Sequence, residues 1–89
     1  MTTSTPTIKV LIVDDHAVVR AGLRMLIDQD PEMEVTGLAG NRSEALAAAT
    51  SEQPNIIILD IVLGDDDGLS FLPELRSVAG GARVLVLTG

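Results

Sequence analysis

The sequence predicts an α/β domain built on a doubly wound parallel sheet, which is a sheet with helices packed on both faces. Three short runs, at 8–13, 56–59 and 84–87, are almost wholly aliphatic and have the pattern of strands that are buried on both sides. The segments between the strands carry helical patterns, and strands that alternate with helices through short connections form right-handed parallel units. The 89 residues are enough for one small domain.

The composition of the first 28 residues predicts a tail, a strand and a helix. Residues 1–7 are rich in Thr, Ser and Pro, and we expect them to form a flexible tail. The run 8–13 is the first strand. Apolar residues then recur every three or four positions over 16–28, which predicts an amphipathic helix. Arg20 and Arg24 lie one turn apart in this helix, and we expect both on its solvated side.

Turn residues mark the second strand and the second helix. Pro31 ends the first helix, and the shorter and more polar run 34–39 predicts a strand that lies toward a sheet edge. Asn41 and Glu44 have the spacing of a capping box, which predicts the start of an alanine-rich helix at 43–51.

The remaining elements repeat the alternation. We expect the third strand at 56–59, a loop at 61–67, a third helix at 68–78 and a fourth strand at 83–88. Pro73 fits the third helix only near its first turn, because the backbone N–H that proline lacks has no partner there in any case.

Composition excludes several classes of protein. The chain has no cysteine, so disulfides, thiolate metal sites and a cysteine nucleophile are excluded. Its net charge of -7 disfavours contact with a phosphate backbone, and we expect these residues to bind no nucleic acid by themselves. No apolar run reaches the roughly 18 residues of a membrane span, and the start lacks the features of a signal peptide. We therefore expect a cytoplasmic protein with no membrane partner.

Three of the four predicted strands end at side chains that carry chemistry. Asp14 and Asp15 follow the first strand, Asp60 follows the third, and Thr88 ends the fourth. Ligands bind outside the carboxyl ends of parallel strands, so we expect the three carboxylates to meet in one crevice. Carboxylates that are packed together repel each other, and a hard cation such as Mg²⁺ would relieve that repulsion. Solvated acids at strand ends are the alternative at this stage.

Taken together, these motifs resemble the receiver domain of two-component response regulators. The resemblance is carried by 10–23, with its Asp-Asp-His and Val-Arg-x-Gly-Leu, by Ile-Ile-Leu-Asp at 57–60 followed by Asp-Gly-Leu at 67–69, and by 84–89. The first of these segments is similar to the NarL/FixJ class of transcriptional regulators, which carry a LuxR-type output. The resemblance implies a flavodoxin-like receiver fold over 8–89 with strand order 2-1-3-4.

The resemblance also implies a role for each residue of the cluster. Asp60 would be the phosphoacceptor, and its phosphoryl group would come from a sensor histidine kinase or a small phosphodonor. The ligands of Mg²⁺ would be Asp15, Asp60, the backbone carbonyl of Val62 and, through water, Asp14. Thr88 would turn toward the new phosphoryl group. The module would not itself be an enzyme, and in a full-length protein it would control transcription through a DNA-binding helix-turn-helix domain.

Two parts of the sequence depart from the family pattern. Gly64 stands where the family usually has a proline, which leaves the loop around the Val62 carbonyl freer. The family also continues beyond the Thr strand with a helix, a fifth strand bearing a lysine, and a last helix, whereas the one lysine here is Lys9 on the first strand. We therefore expect a receiver at 8–89 that is incomplete at its C-terminal side. It would be part of a longer regulator or would self-associate through exposed apolar surface.

Three other functions remain open from the sequence. A degenerate receiver would act through protein association without accepting phosphate. A phosphatase of the haloacid dehalogenase kind also has an aspartate nucleophile at a strand end, but it carries a second aspartate two residues later, where this chain has Val62. A nucleotide-binding domain would need a glycine-rich turn after the first strand, where the chain has Asp-Asp-His. We interpret His16 as a polar residue of the first helical turn rather than as a phosphohistidine.

Overall fold

The computed structural model describes residues 7–63 and 66–87, and its elements follow the predicted alternation of strands and helices. In chain order they are β1 (Ile8–Val13), α1 (Ala17–Asp28), β2 (Met33–Ala39), α2 (Arg42–Glu52), β3 (Ile56–Asp60), β4 (Val62–Leu63), β5 (Asp66–Asp67), a 3-10 turn (Gly68–Phe71), α3 (Leu72–Val78) and β6 (Arg83–Leu87).

Four of the strands form one parallel sheet in the order β2-β1-β3-β6. Since β6 is the fourth long strand of the chain, this is the predicted order 2-1-3-4. The two central strands, β1 and β3, pair with Val13 opposite Leu59, and β3 pairs with β6 so that Asp60 lies opposite Leu87. These strands therefore end level with one another at the same edge of the sheet.

Helices cover both faces of this sheet, and the doubly wound prediction is confirmed. On the face covered by α1, the buried side chains are Val10, Ile12, Ile27 and Ile58. On the face covered by α2 and α3, the buried core is larger and comprises Leu11, Val13, Ala39, Ala45, Ala49, Ile57, Leu59, Leu63, Phe71, Leu75 and Ala79. Alternate residues of a strand face opposite sides, which is why β1 is apolar over 10–13 and β3 over 56–59. None of the helices in the described ranges is long and apolar enough to cross a membrane.

The pairing of β1 with β2 contains a β-bulge. Val10 pairs with Val35, but the next residue, Leu11, pairs with Gly37, so Thr36 is the extra residue on β2. A Cβ atom at Gly37 would lie only 3.0 Å from Cδ1 of Leu11. The glycine thus leaves room for a leucine that is fully buried in the core.

The segment after β3 differs from the sequence prediction. Residues 61–67 were expected to form a loop, but Val62 pairs with Asp67 in a short antiparallel ladder between β4 and β5. The helix expected at 68–78 is a 3-10 turn followed by α3, so Pro73 does lie in the first α-helical turn. Two-residue strands are too short to show an alternating pattern, which is why the ladder was missed. The predicted freedom at Gly64 and the tail through residue 6 lie outside the described residues.

Gly68 is the point at which the chain after β3 packs back against the end of that strand. Its backbone N–H donates a hydrogen bond to the carbonyl of Ile61 at 2.7 Å. A Cβ atom at this position would stand 2.5 Å from the carbonyl oxygen of Asp60 and 2.9 Å from the Cα of Ile61. Both neighbours are backbone atoms, so no side chain can move aside to make room.

We expect Gly68→Ala to lower the free energy of unfolding by about 1–3 kcal/mol, because the backbone near Asp60 must shift to accept the methyl group. Gly22→Ala is the matched control. A Cβ there meets no atom within 4 Å, and alanine is favoured over glycine inside a helix by roughly 1 kcal/mol. Urea unfolding of both variants measures the difference, and a Gly68→Ala variant as stable as the parent chain would contradict the close contact.

Candidate functional site

Three carboxylates and one imidazole meet where β1 and β3 end. One ligand atom from each of Asp14, Asp15, His16 and Asp60 lies within 4.8 Å of every other. Asp14 directly follows β1 and Asp60 is the last residue of β3, so the parallel pairing of these strands brings the two carboxylates together. Asp15 extends the cluster toward solvent.

Asp14 is held by contacts to its main chain and its side chain. It is only 3% exposed. Its backbone N–H donates to the carbonyl of Ala39 at 2.9 Å, which ties the end of β1 to the end of β2. Its Oδ1 accepts a hydrogen bond of 2.8 Å from the backbone N–H of His16. A buried carboxylate is tolerated only when hydrogen bonds replace the lost water, and the His16 N–H serves that purpose.

Arg20 does not lie on the solvated side of α1 as predicted. Its Nη1 donates a hydrogen bond of 2.5 Å to the carbonyl oxygen of Asp14, six residues earlier in the chain. The side chain is half-buried and spans the loop between β1 and α1. Arg24 does fit the prediction, since its side chain is exposed. Its Nε lies 3.7 Å from Oδ2 of Asp28, one helical turn later, and the two form an ion pair.

The carboxylate of Asp60 has a different environment at each oxygen. Oδ1 accepts a hydrogen bond of 3.0 Å from the backbone N–H of Val62, two residues later. Oδ2 lies 3.9 Å from Nδ1 of His16. Asp60 is 7% exposed, so it is a buried acid whose orientation is fixed by the chain that follows it.

His16 is the member of the cluster that the sequence analysis missed. Its Nδ1 lies 2.9 Å from Oδ1 of Asp14 and 3.0 Å from Oδ1 of Asp15. The residue is the N-cap of α1, with extended backbone angles of φ -95° and ψ 111°, and its side chain turns back toward the acids. A run of three ionisable residues at a strand-to-helix junction is the sequence feature that could have indicated this contact.

The acids raise the pKa of His16 above the ordinary value of 6.5. The hydrogen bond to Asp14 is the largest cause, and the negative charge of Asp15 comes next. Desolvation opposes the shift, and the charges of Asp14 and Asp60 make smaller contributions that raise the pKa. When it is protonated, the imidazole therefore carries positive charge into a cluster of carboxylates.

Thr88 lies outside the described residues, but the strand that leads to it reaches the cluster. Leu87 is the last described residue of β6 and pairs with Asp60. The backbone N–H of Ile61 donates to the carbonyl of Leu87 at 3.3 Å, which joins the ends of the two strands.

The donor set suits a divalent cation that prefers oxygen ligands. Asp14, Asp15 and Asp60 offer carboxylate oxygens within a span that one ion can bridge. In the described part of the chain, no buried side-chain polar atom lacks a hydrogen-bond partner.

We expect the His16 ring to titrate above 6.5 in the folded chain, since the neighbouring carboxylates favour its protonated form. The chain has one histidine, so a nuclear magnetic resonance titration of the ring protons reports this residue alone. Because the folded-state pKa is raised, the interaction stabilises the fold fully below the unfolded-state pKa, and this contribution is lost as pH rises through the folded-state value.

In this titration Asp14→Asn should bring the midpoint down, because a neutral amide replaces the charged acceptor of the hydrogen bond that contributes most to the raised pKa. Asp28→Asn is the control, since it removes the same charge at the far end of α1 and should leave the midpoint unchanged. A midpoint at or below 6.5 in the parent chain would refute the contacts of His16 with the acids.

Comparison with known sequences gives a family and a set of longer relatives. Residues 10–89 match the family described as "Response regulator receiver domain". The DNA-binding transcriptional activator DevR/DosR of Mycobacterium tuberculosis is 42% identical over 81 residues, which are 91% of this chain and 37% of that protein. The chain thus spans less than half the length of the curated relatives it matches.

Solved structures give the same result. The two-component response regulator of the LuxR family from Aurantimonas sp. SI85-9A1 superposes with a TM-score of 0.83 and 33% identity, over 92% of this chain and 59% of that one. A second structure is a response regulator from Burkholderia pseudomallei with a phosphorylated aspartic acid, calcium ion and citrate. It has a TM-score of 0.82 and 34% identity, over 91% of this chain and 46% of that one.

These matches confirm the resemblance to receiver domains and the fold that it implies. They favour a receiver over the phosphatase-like and nucleotide-binding alternatives. The chain belongs to the response regulator receiver family of two-component systems, and the relatives that it matches are transcriptional regulators of the NarL and LuxR type.

Proposed function

We propose that this chain is a phospho-accepting receiver module in which Asp60 takes a phosphoryl group from a sensor histidine kinase or a small phosphodonor. The main support is the setting of Asp60. It is a buried carboxylate at the end of a central strand, it is oriented by the Val62 N–H, and it faces two further acids. The similar regulator from Burkholderia pseudomallei carries a phosphorylated aspartic acid.

In the proposed reaction, a carboxylate oxygen of Asp60 attacks the phosphorus of the donor. A new O–P bond forms while the bond between phosphorus and the donor atom breaks, and the leaving group keeps the electron pair. The product is an aspartyl phosphate. The transferred group is itself negative, so it can approach Asp14 and Asp15 closely only if positive charge is present.

Receiver domains bind Mg²⁺ at their acidic pocket, and the residues of this cluster fit that ion. We assign direct ligation to Asp15, Asp60 and the backbone carbonyl of Val62, with Asp14 acting through water. When bound, the ion supplies positive charge beside the phosphoryl oxygens. Receiver domains of transcriptional regulators generally have no enzymatic role beyond accepting phosphate, and we propose none here.

We also propose that Thr88 forms a hydrogen bond to the phosphoryl group and so passes the change in charge to the surface. The support is that Leu87, the residue before it, pairs with Asp60. The names of the relatives support a further step, in which a cytoplasmic, full-length regulator controls transcription through a DNA-binding domain of LuxR type. In this proposal the described elements contact the kinase and not DNA.

We propose that the receiver domain occupies 8–89 after a short tail at 1–7, and that this segment self-associates. Large apolar side chains are exposed on α1 and on the edge strand β6, namely Val18, Met25, Leu26 and Leu85. An apolar edge strand and an apolar helix face both favour association.

We expect Asp60 to form the phosphoryl adduct. After incubation with Mg²⁺ and a small acyl phosphate, mass spectrometry should find one added phosphoryl group that is absent in Asp60→Asn, because an amide cannot serve as the nucleophile. Asp28→Asn removes the same charge away from the site and should keep the adduct. If no adduct forms in a longer protein that contains these residues, the phosphoacceptor proposal fails and a degenerate receiver is favoured.

We expect sedimentation velocity to show a dimer or larger species whose share grows with concentration, since apolar surface is buried on association. Leu85→Lys should reduce that share by placing a charge on the exposed apolar strand. Ala47→Lys adds the same charge on the exposed side of α2, which covers the other face of the sheet from α1, and is the control. A chain that stays monomeric at every concentration would rule out self-association.

A further inference from the structure

We propose that His16 supplies a nitrogen ligand to the cation bound at the acidic site, and that the preference of the site for transition-metal cations over Mg²⁺ depends on this residue. The inference rests on the proposed metal site and adds a fourth side chain to it. It applies to ions such as Co²⁺ and Ni²⁺, which accept both carboxylate and imidazole ligands.

The positions of the donor atoms carry the inference. In an octahedral site with bonds of about 2.1 Å, adjacent ligand atoms are about 3.0 Å apart and opposite ones about 4.2 Å apart. Nδ1 of His16 lies 2.9 Å from Oδ1 of Asp14 and 3.0 Å from Oδ1 of Asp15. Its distance to Oδ2 of Asp60 is 3.9 Å, between the two ideal values. Asp15 and Asp60 are the acids assigned direct ligation, and both of their distances to Nδ1 fall within the range of about 3.0–4.2 Å that ligand atoms span around one such ion, so the nitrogen lies where a further ligand of that ion would stand.

The backbone sets this position of the ring. His16 ends the turn before α1, and its N–H donates to the same Oδ1 of Asp14 that its ring contacts. That double contact directs Nδ1 toward the acids. The side chain is 62% exposed, so small movements of the ring meet little resistance from neighbouring residues.

The chemistry of the ligands predicts which ions gain from the histidine. Mg²⁺ prefers oxygen ligands and gives up its water reluctantly, so an added imidazole contributes little to its binding. Co²⁺ and Ni²⁺ bind imidazole well and also accept carboxylates. Oxygen ligands alone would hold both kinds of ion, whereas the nitrogen should strengthen binding of the transition metals alone.

Calorimetric titration of the 89-residue chain, without a histidine tag, tests this difference. At a pH above the midpoint measured for the His16 ring, where its nitrogen is free to ligate, Co²⁺ and Mg²⁺ are titrated separately into the parent chain and the variants. We expect His16→Gln to weaken Co²⁺ binding about tenfold or more and to change Mg²⁺ binding by about twofold or less. Asp15→Asn should weaken binding of both ions, because it removes a ligand that both use.

Magnetic resonance gives a second readout that does not depend on affinity. The chain has a single histidine, so with Co²⁺ bound its ring protons should show the large hyperfine shifts of a direct ligand. These resonances should be absent in His16→Gln. Equal weakening of both ions in that variant, or ring protons without such shifts, would overturn the inference and leave the Mg²⁺ site standing. Failure of the parent chain to bind either ion would instead reject the metal site itself.

Discussion

The parallel register between β1 and β3 is the constraint on which the site depends. With Val13 opposite Leu59, the acids that end the two strands come together below the surface. Burying carboxylates is costly unless hydrogen bonds or opposite charge replace the lost water. The chain meets this cost locally, because the backbone N–H groups of His16 and Val62 each donate to one of the buried acids. The geometry of the site is therefore set by strand pairing and completed by the turns that follow.

The loops at this edge of the sheet are also linked to each other. Arg20 holds the carbonyl of Asp14, and a Cβ atom added at Gly40 would lie 3.1 Å from its Nη1. Gly40 follows β2, and its N–H donates to the carboxylate of Glu44 in the first turn of α2. The Arg20 side chain thus extends from the loop that bears the acids to the turn that follows β2.

The parts of this molecule that could be predicted from sequence are those with a repeating pattern. Apolar runs located three of the four long strands, and turn residues bounded the more polar β2. The spacing of Asn41 and Glu44 located the start of α2, where Asn41 does accept the Glu44 N–H. The contacts of long side chains were harder to predict from the sequence. Arg20 and His16 both turn back toward the preceding loop, and such a direction follows from the three-dimensional turn rather than from residue spacing. Thr88 stays a prediction.

The bulge in β2 makes the two edges of the sheet unequal. An extra residue twists an edge strand and interrupts its row of free hydrogen-bonding groups, which hinders pairing with another strand. β2 has that irregularity, whereas β6 pairs with β3 in unbroken register and presents Leu85 to solvent. The regular edge at β6, next to the strand that carries Asp60, therefore favours the addition of a further strand over the bulged edge at β2.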